Sequence, residues 1–214
     1  MRSLLFVPGD SEKKLDRGFS AGADVIIVDL EDSVAQDKKA HGRAVAADFI
    51  AGKRDYAGPA IYVRVNDLGT GLTDDDLKAI MPVGPQGIML PKASSGADVQ
   101  HLSAKLRVHE AEAGLADGST KIIPIVTETA AGVLATGTYV GASARLAGLT
   151  WGAEDLSAAI GAHATRDGAG RYTDVFRLAR AMTVLGAAAA DVVAIDTVFV
   201  DFRNLDALRT ECMD

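Results

Sequence analysis

The stretch 25-VIIVDLEDSV-34 runs from grease into acid. An apolar run leads into Asp29, and Glu31 and Asp32 follow almost at once. The first half reads as a buried strand. The second half crowds carboxylates where that strand ends, although like charges repel and burying them is costly. The same pattern, an apolar run followed by polar residues and then an amphipathic stretch, repeats along the chain. Strands are expected at 3–7, 25–29, 60–65, 87–91, 122–127, 145–151 and 194–200. Helices are expected after Asp10 or Ser11, over 38–52 and 73–80, up to about Ala113, from Ala130 onward, and over 174–190 and 204–213. The segment 161–173 reads as an irregular surface loop. Strands alternating with helices imply an α/β fold with a parallel sheet. Continuous apolar strands imply burial on both faces.

Two architectures fit that pattern. A doubly wound sheet usually carries a Gly-rich phosphate loop after its first strand, and 6-FVPGDSEKK-14 lacks G-x-G-x-x-G. A (β/α)8 barrel needs no such loop and places its chemistry at the C-terminal ends of many strands.

Composition narrows the function classes. The 214 residues are 48% hydrophobic and 24% charged, enough to bury a substantial core in a single domain over 1–214. The net charge is −7 and no basic stripe is visible, which argues against a nucleic-acid partner. No apolar run reaches membrane-spanning length, and the start MRSLLFVPGD breaks too early for a signal peptide. The one cysteine, Cys212, excludes a disulfide within one chain and fits a reducing, cytoplasmic setting. A soluble protein acting on small molecules is expected.

The strand ends carry the chemistry. Asp29, Glu31 and Asp32 end the second expected strand, and Arg64 and Asn66 the third. Lys92 ends the fourth, Thr127, Glu128 and Thr129 the fifth, and Trp151 to Asp155 the sixth. Each has a plainer reading. Glu128 or Asp155 would serve as a helix N-cap. The acids after Val28 would form a solvated loop, with Arg64 as its counter-ion, and Lys92 would be a surface lysine. Taken jointly, they read as a divalent metal site. Mg²⁺ binds one or two carboxylates plus water and substrate oxygens, which suits Glu128 and Asp155. Zinc is disfavoured, because His41, His101, His109 and His163 show no metal spacing and Cys212 is remote. No G-x-S-x-G supports a nucleophilic triad.

In order along nearly the whole chain come Arg2-Ser3 with Phe6-Val7-Pro8-Gly9, Asp29-Leu30-Glu31-Asp32-Ser33-Val34, and Val63-Arg64-Val65-Asn66. Then follow Gly87-Ile88-Met89-Leu90-Pro91-Lys92, Glu128-Thr129-Ala130, Gly152-Ala153-Glu154-Asp155-Leu156 and Ala194-Ile195-Asp196. With these motifs the chain resembles the citrate lyase β-subunit / malyl-CoA lyase group of the HpcH/HpaI aldolase superfamily. The resemblance implies a TIM (β/α)8 barrel in a homotrimer or hexamer. It implies Mg²⁺ as cofactor, with Glu128 and Asp155 as its ligands. Arg64 would grip the substrate carboxylate or oxo oxygen, helped by backbone amides at Gly152, Ala153 and Glu154, with Glu128 beside the substrate. Glu31 and Asp32 would hold metal-bound water and complete the catalytic set with Arg64.

The implied reaction is carbon–carbon cleavage or formation of a β-hydroxyacyl-CoA thioester, such as malyl-CoA or citramalyl-CoA, giving an acyl-CoA and a 2-oxoacid. Thioester hydrolysis or a malate-synthase-like reaction on the same ligands is the alternative enzyme reading. A catalytically silent binding subunit, or a citrate lyase complex with an acyl-carrier partner, is the alternative from another class. Members of the group run longer, with an eighth strand and a C-terminal lid that supplies an acid. Both are expected to be missing here, and Asn204 stands where the group commonly has Asp.

Overall fold

The computed structural model describes residues 1–53 and 56–213. Strands β1 (Leu4–Pro8), β2 (Val25–Asp29), β3 (Ala60–Arg64), β4 (Gly87–Leu90) and β5 (Lys121–Pro124) form one parallel sheet in that order. β6 (Gly148–Thr150) pairs in parallel with β7 (Val193–Ile195). Bridges Ile122–Leu146 and Ile125–Thr150, and the Val126 N–H donating to the Thr150 carbonyl at 2.8 Å, carry the order on from β5 to β6. The helices are α1 (Glu12–Phe19), α2 (Lys39–Lys53), α3 (Thr73–Ile80), α4 (Gly96–Ala113), α5 (Ala130–Leu134), α6 (Ala153–Ile160), α7 (Asp174–Ala189) and α8 (Leu205–Met213).

Strand parity bears on the two expected architectures. Ile26 and Val28 of β2, and Leu30 just after it, join a core containing Leu15, Phe49, Leu77, Val99 and Leu106, all from helices. Val25 and Ile27 face the other way, into a cluster with Tyr62, Met89, Ile123 and Ile125, all strand or strand-end residues. Helices therefore cover one face, while the opposite faces of neighbouring strands fill a common interior. That is the layering of a barrel wall, since a doubly wound sheet would carry helices on both faces. Closure, however, is not seen: among the described residues β1 and β7 stand at the two ends of the strand order.

Two further expectations are corrected. The strand expected over 194–200 pairs only through Ile195, and Val198 and Val200 are exposed. Among the described residues β7 pairs with β6 alone, and residues 196–200 have no ladder to hold them extended. The helix α6 was not read from the sequence. Its signals are acids in the first turn and Gly161 in the left-handed conformation at its end, φ 64°.

Close packing fixes α4 on the wall. Ser95 and Asp98 form a reciprocal capping box at its N-terminus. A Cβ at Gly96 would lie 2.1 Å from the Thr138 carbonyl oxygen, so only glycine permits this approach. At the other end, the buried Glu110 carboxylate accepts from Arg145 Nη1 and Nη2 at 2.6 and 2.7 Å. Gly118 and Thr120 N–H groups also donate to it, at 2.9 and 2.8 Å. Burial pushes this carboxyl up, but the Arg145 fork and the amides outweigh it and hold the pKa at about 2.

Candidate active site

The ends of β2 to β6 are linked by side chains in a continuous series. Asp29 lies opposite Arg64 in the β2–β3 register and shares the interior face with Val25 and Ile27. Arg64 Nε and Nη2 donate to its two oxygens at 2.8 and 2.7 Å, a bidentate fork. The Glu31 and Ser33 amides and the Ser33 hydroxyl also donate to Asp29. Burial opposes ionisation of Asp29, yet the Arg64 fork prevails and its pKa is lowered. Asp29 is thus the anchor of Arg64.

Arg64 is mostly buried, with its guanidinium 5.0 Å from the Phe6 ring centroid. Nη1 lies 2.9 Å from Glu31 Oε2 and 3.4 Å from Asp32 Oδ2. Arg64 therefore is the counter-ion of all three carboxylates after Val28, but from a mostly buried position. Glu31 is buried, and burial raises its pKa even against the pull of Arg64. Its Oε1 accepts from Lys92 Nζ at 2.5 Å, while Oε2 receives no aligned hydrogen bond despite the nearby Nη1. Asp32 is different: its side chain is 59% exposed and touches only the outer edge of Arg64.

Lys92 is the residue that sequence reasoning undervalued. It is not a plain surface lysine. Its backbone is left-handed, φ 51°, which is uncommon for a non-glycine residue. That turn aims its N–H at the Glu128 carboxylate. Its ammonium meets Glu31 and lies 3.5 Å from Asp155 Oδ1. Glu31 holds Lys92 protonated, against the effect of burial. Its place right after an apolar strand was the available signal.

Glu128 is 3% exposed. Burial raises its pKa to about 8, with the charge of Asp155 adding to the effect. A Cβ at Gly152 would come within 2.9 Å of Glu128 Cγ, so the glycine makes room for this side chain. Neither acid is an N-cap. Thr129 caps α5 by accepting from the Gly132 N–H at 3.0 Å. Gly152 is the N-cap of α6 and places Asp155 in the first turn. The Gly152 N–H donates to Thr127 Oγ1 at 3.2 Å. The Ala153 and Glu154 amides, at the start of α6, have no acceptor within the helix. The Glu154 side chain is exposed.

A hollow of about 340 Å³ opens beside this series, lined by Glu31, Asp32, Lys39, Asn66, Asp67 and Lys92 among others. Lys39 Nζ donates to the Leu30 and Glu31 carbonyls, both at 2.7 Å, and fixes the acidic loop. Asn66 donates to the Leu30 carbonyl at 3.1 Å and to buried Asp76 at 2.7 Å, which Arg43 also pairs. Asn66 stood out at its strand end, but its partners were not legible from type or spacing, nor were Lys39 and Asp76. A larger groove of about 1680 Å³ runs from Trp151 and Glu154 along α7, β7 and α8. Among the described residues no group of three or more His, Cys, Asp or Glu is arranged to hold a metal, and no helix is long and apolar enough to cross a membrane.

A parallel α/β wall with helices on one face and a charged rim at its strand ends defines the class. Residues 2–213 match the HpcH/HpaI aldolase/citrate lyase family, and the chain belongs to it. It is 34% identical over 223 residues to the mitochondrial citramalyl-CoA lyase of Mus musculus, spanning 97% of this chain and 62% of that protein. It is 32% identical over 213 residues to a (3S)-malyl-CoA thioesterase of Cereibacter sphaeroides (strain ATCC 17029 / ATH 2.4.9), spanning 99% of this chain and 67% of that protein. A solved structure, the citrate lyase beta subunit complexed with oxaloacetate and magnesium from M. tuberculosis, superposes with a TM-score of 0.82 at 32% identity. That match covers 98% of this chain and 84% of the other.

Proposed function

We propose that the chain carries the catalytic wall of a Mg²⁺-dependent carbon–carbon lyase. The substrate would be a β-hydroxyacyl-CoA thioester such as malyl-CoA or citramalyl-CoA, split into an acyl-CoA and a 2-oxoacid or rebuilt from them. The observation that carries this reading is Glu128, a buried carboxylate given room by Gly152 and raised in pKa by its burial and by Asp155.

The residues fit a hard cation. The rim residues Asp29, Glu31, Asp32, Glu128 and Asp155 are carboxylates with no cysteine or histidine among them, and two carboxylates with open positions suit Mg²⁺ better than a closed protein cage. Glu128 and Asp155 would hold the ion. When bound, Mg²⁺ supplies Lewis-acid polarisation of the oxoacid oxygens and offsets developing negative charge.

The chain's own groups do the rest. Arg64, locked by Asp29, presents a fixed positive potential to the substrate carboxylate or oxo oxygen. The Ala153 and Glu154 amides at the start of α6 add preorganised donors beside Gly152. Glu31 and Asp32 would orient water beside the ion. The architecture completing this site is read as a (β/α)8 barrel, in a cytoplasmic trimer or hexamer, and light scattering on the full protein tests the assembly. A thioesterase is the second reading, favoured by the (3S)-malyl-CoA thioesterase relative.

Product analysis separates the two. With malyl-CoA and Mg²⁺, the lyase reading expects glyoxylate plus acetyl-CoA; malate plus free CoA establishes hydrolysis instead. Binding of an oxoacid mimic such as oxalate tests Arg64. Arg64→Ala is expected to weaken oxalate binding by about 10²-fold, in line with a lost charge-assisted donor. Unchanged affinity removes Arg64 from the substrate. Because Asp29 is left buried and unpaired in that variant, its stability is measured alongside.

A further inference from the structure

The acidic rim has a charge problem when no metal is bound. Among the described residues the acids Asp29, Glu31, Asp32, Glu128 and Asp155 outnumber the cations beside them, Arg64, Lys39 and Lys92. Two of the cations are committed away from Glu128 and Asp155. Arg64 is forked onto Asp29, and Lys39 is held by two backbone carbonyls. Lys92 alone reaches towards the proposed ligands, with its ammonium between Glu31 at 2.5 Å and Asp155 at 3.5 Å. Its side chain is 28% exposed, so a path to solvent is open to it. Its backbone is anchored separately, through the N–H to Glu128 and the left-handed turn.

We infer that Lys92 is a placeholder cation: its ammonium occupies the gap between Glu31 and Asp155 in the metal-free protein and gives up Asp155 when Mg²⁺ binds. This rests on Glu128 and Asp155 being the metal ligands. Lys92 is then a positioning residue. It keeps the acids from splaying apart before the metal arrives, and it competes with the metal for one of them. The Lys92 N–H to Glu128 is a main-chain contact, so replacing the side chain leaves it in place.

The competition sets the direction of each result. Calorimetric Mg²⁺ titration of metal-stripped protein should show about five- to tenfold tighter binding for Lys92→Gln, since a cation competing for the site is gone. Lys92→Arg keeps the charge in a wider fork and should bind Mg²⁺ no more tightly than wild type. In EDTA, Lys92→Gln should melt below wild type and gain more from saturating Mg²⁺, whereas Lys92→Arg should melt close to wild type. A measurement on the unaltered protein avoids any folding defect. Acetylation of Lys92 by an N-hydroxysuccinimide ester, read by peptide mapping, should rise when Mg²⁺ replaces EDTA. Failure of wild type to bind Mg²⁺ overturns the metal-site reading and this inference with it. Mg²⁺ binding by wild type with unchanged or weaker binding by Lys92→Gln, or Lys92 labelling that does not rise, overturns the placeholder alone.

Discussion

Glu128→Gln should remove Mg²⁺-dependent turnover and spare the fold. The substitution keeps the shape and the acceptor for the Lys92 N–H, and it deletes the negative charge a cation needs. The expected loss in kcat/KM is about 10²- to 10³-fold, the size of one lost electrostatic contact at a reacting centre. The melting temperature in EDTA should hold, because a buried carboxyl whose pKa is raised to about 8 is already largely protonated near neutral pH and the amide is its neutral counterpart. Steady-state kinetics and thermal melts in Mg²⁺ and in EDTA check both halves. Near-wild-type turnover by the variant would remove Glu128 from the metal site.

The second large effect lies away from the chemistry. Glu110→Ala should lower stability by ~3–5 kcal/mol, because Arg145, itself 4% exposed, loses its bidentate partner. Asp117 still reaches Arg145 Nη2 at 2.7 Å, but from the surface, so it compensates little. The double variant Glu110→Leu with Arg145→Met should recover most of the loss, since the cost belongs to the stranded charge. Urea unfolding measures each step, and a double variant as weak as the single one would refute the account. The pH sign follows from a lowered folded-state pKa. The Glu110 contribution is fully present above its ordinary value near 4.5 and fades as pH falls towards about 2. Wild type should therefore lose stability across that acid window more steeply than the double variant.

The fold was legible where strands are central and blurred where they are not. β2 reads directly from VIIVD because both faces are buried and every residue is apolar up to the acid. The expected strand at 194–200 failed because apolar composition alone does not supply a ladder partner. At the site, Glu128, Asp155 and Arg64 stood out because charge at the end of an apolar strand is rare enough to notice. Lys92 carried the same mark, yet an ammonium is at home on any surface, and only its left-handed backbone shows what it is turned towards. Asp29 needed cross-strand pairing to find Arg64, and a single strand read alone contains no neighbour. Lys39, Asn66 and Asp76 act through backbone carbonyls and buried contacts, which leave no trace in residue spacing.

The charged rim is assembled from five successive strand ends, and this governs when it comes into being. Asp29, Arg64, Lys92, Glu128 and Asp155 belong to separate β/α units, so no single unit folding by itself contains both of the proposed metal ligands, Glu128 and Asp155. Parallel pairing closes long loops before it gains contacts, which makes such wall-building slow. Mg²⁺ should therefore distinguish finished molecules from nearly finished ones. It has little to hold in a chain whose sixth strand is undocked, and it stabilises the completed state by mass action in proportion to its concentration over Kd. The cofactor of the proposed chemistry would thus act a second time, as a late check on folding.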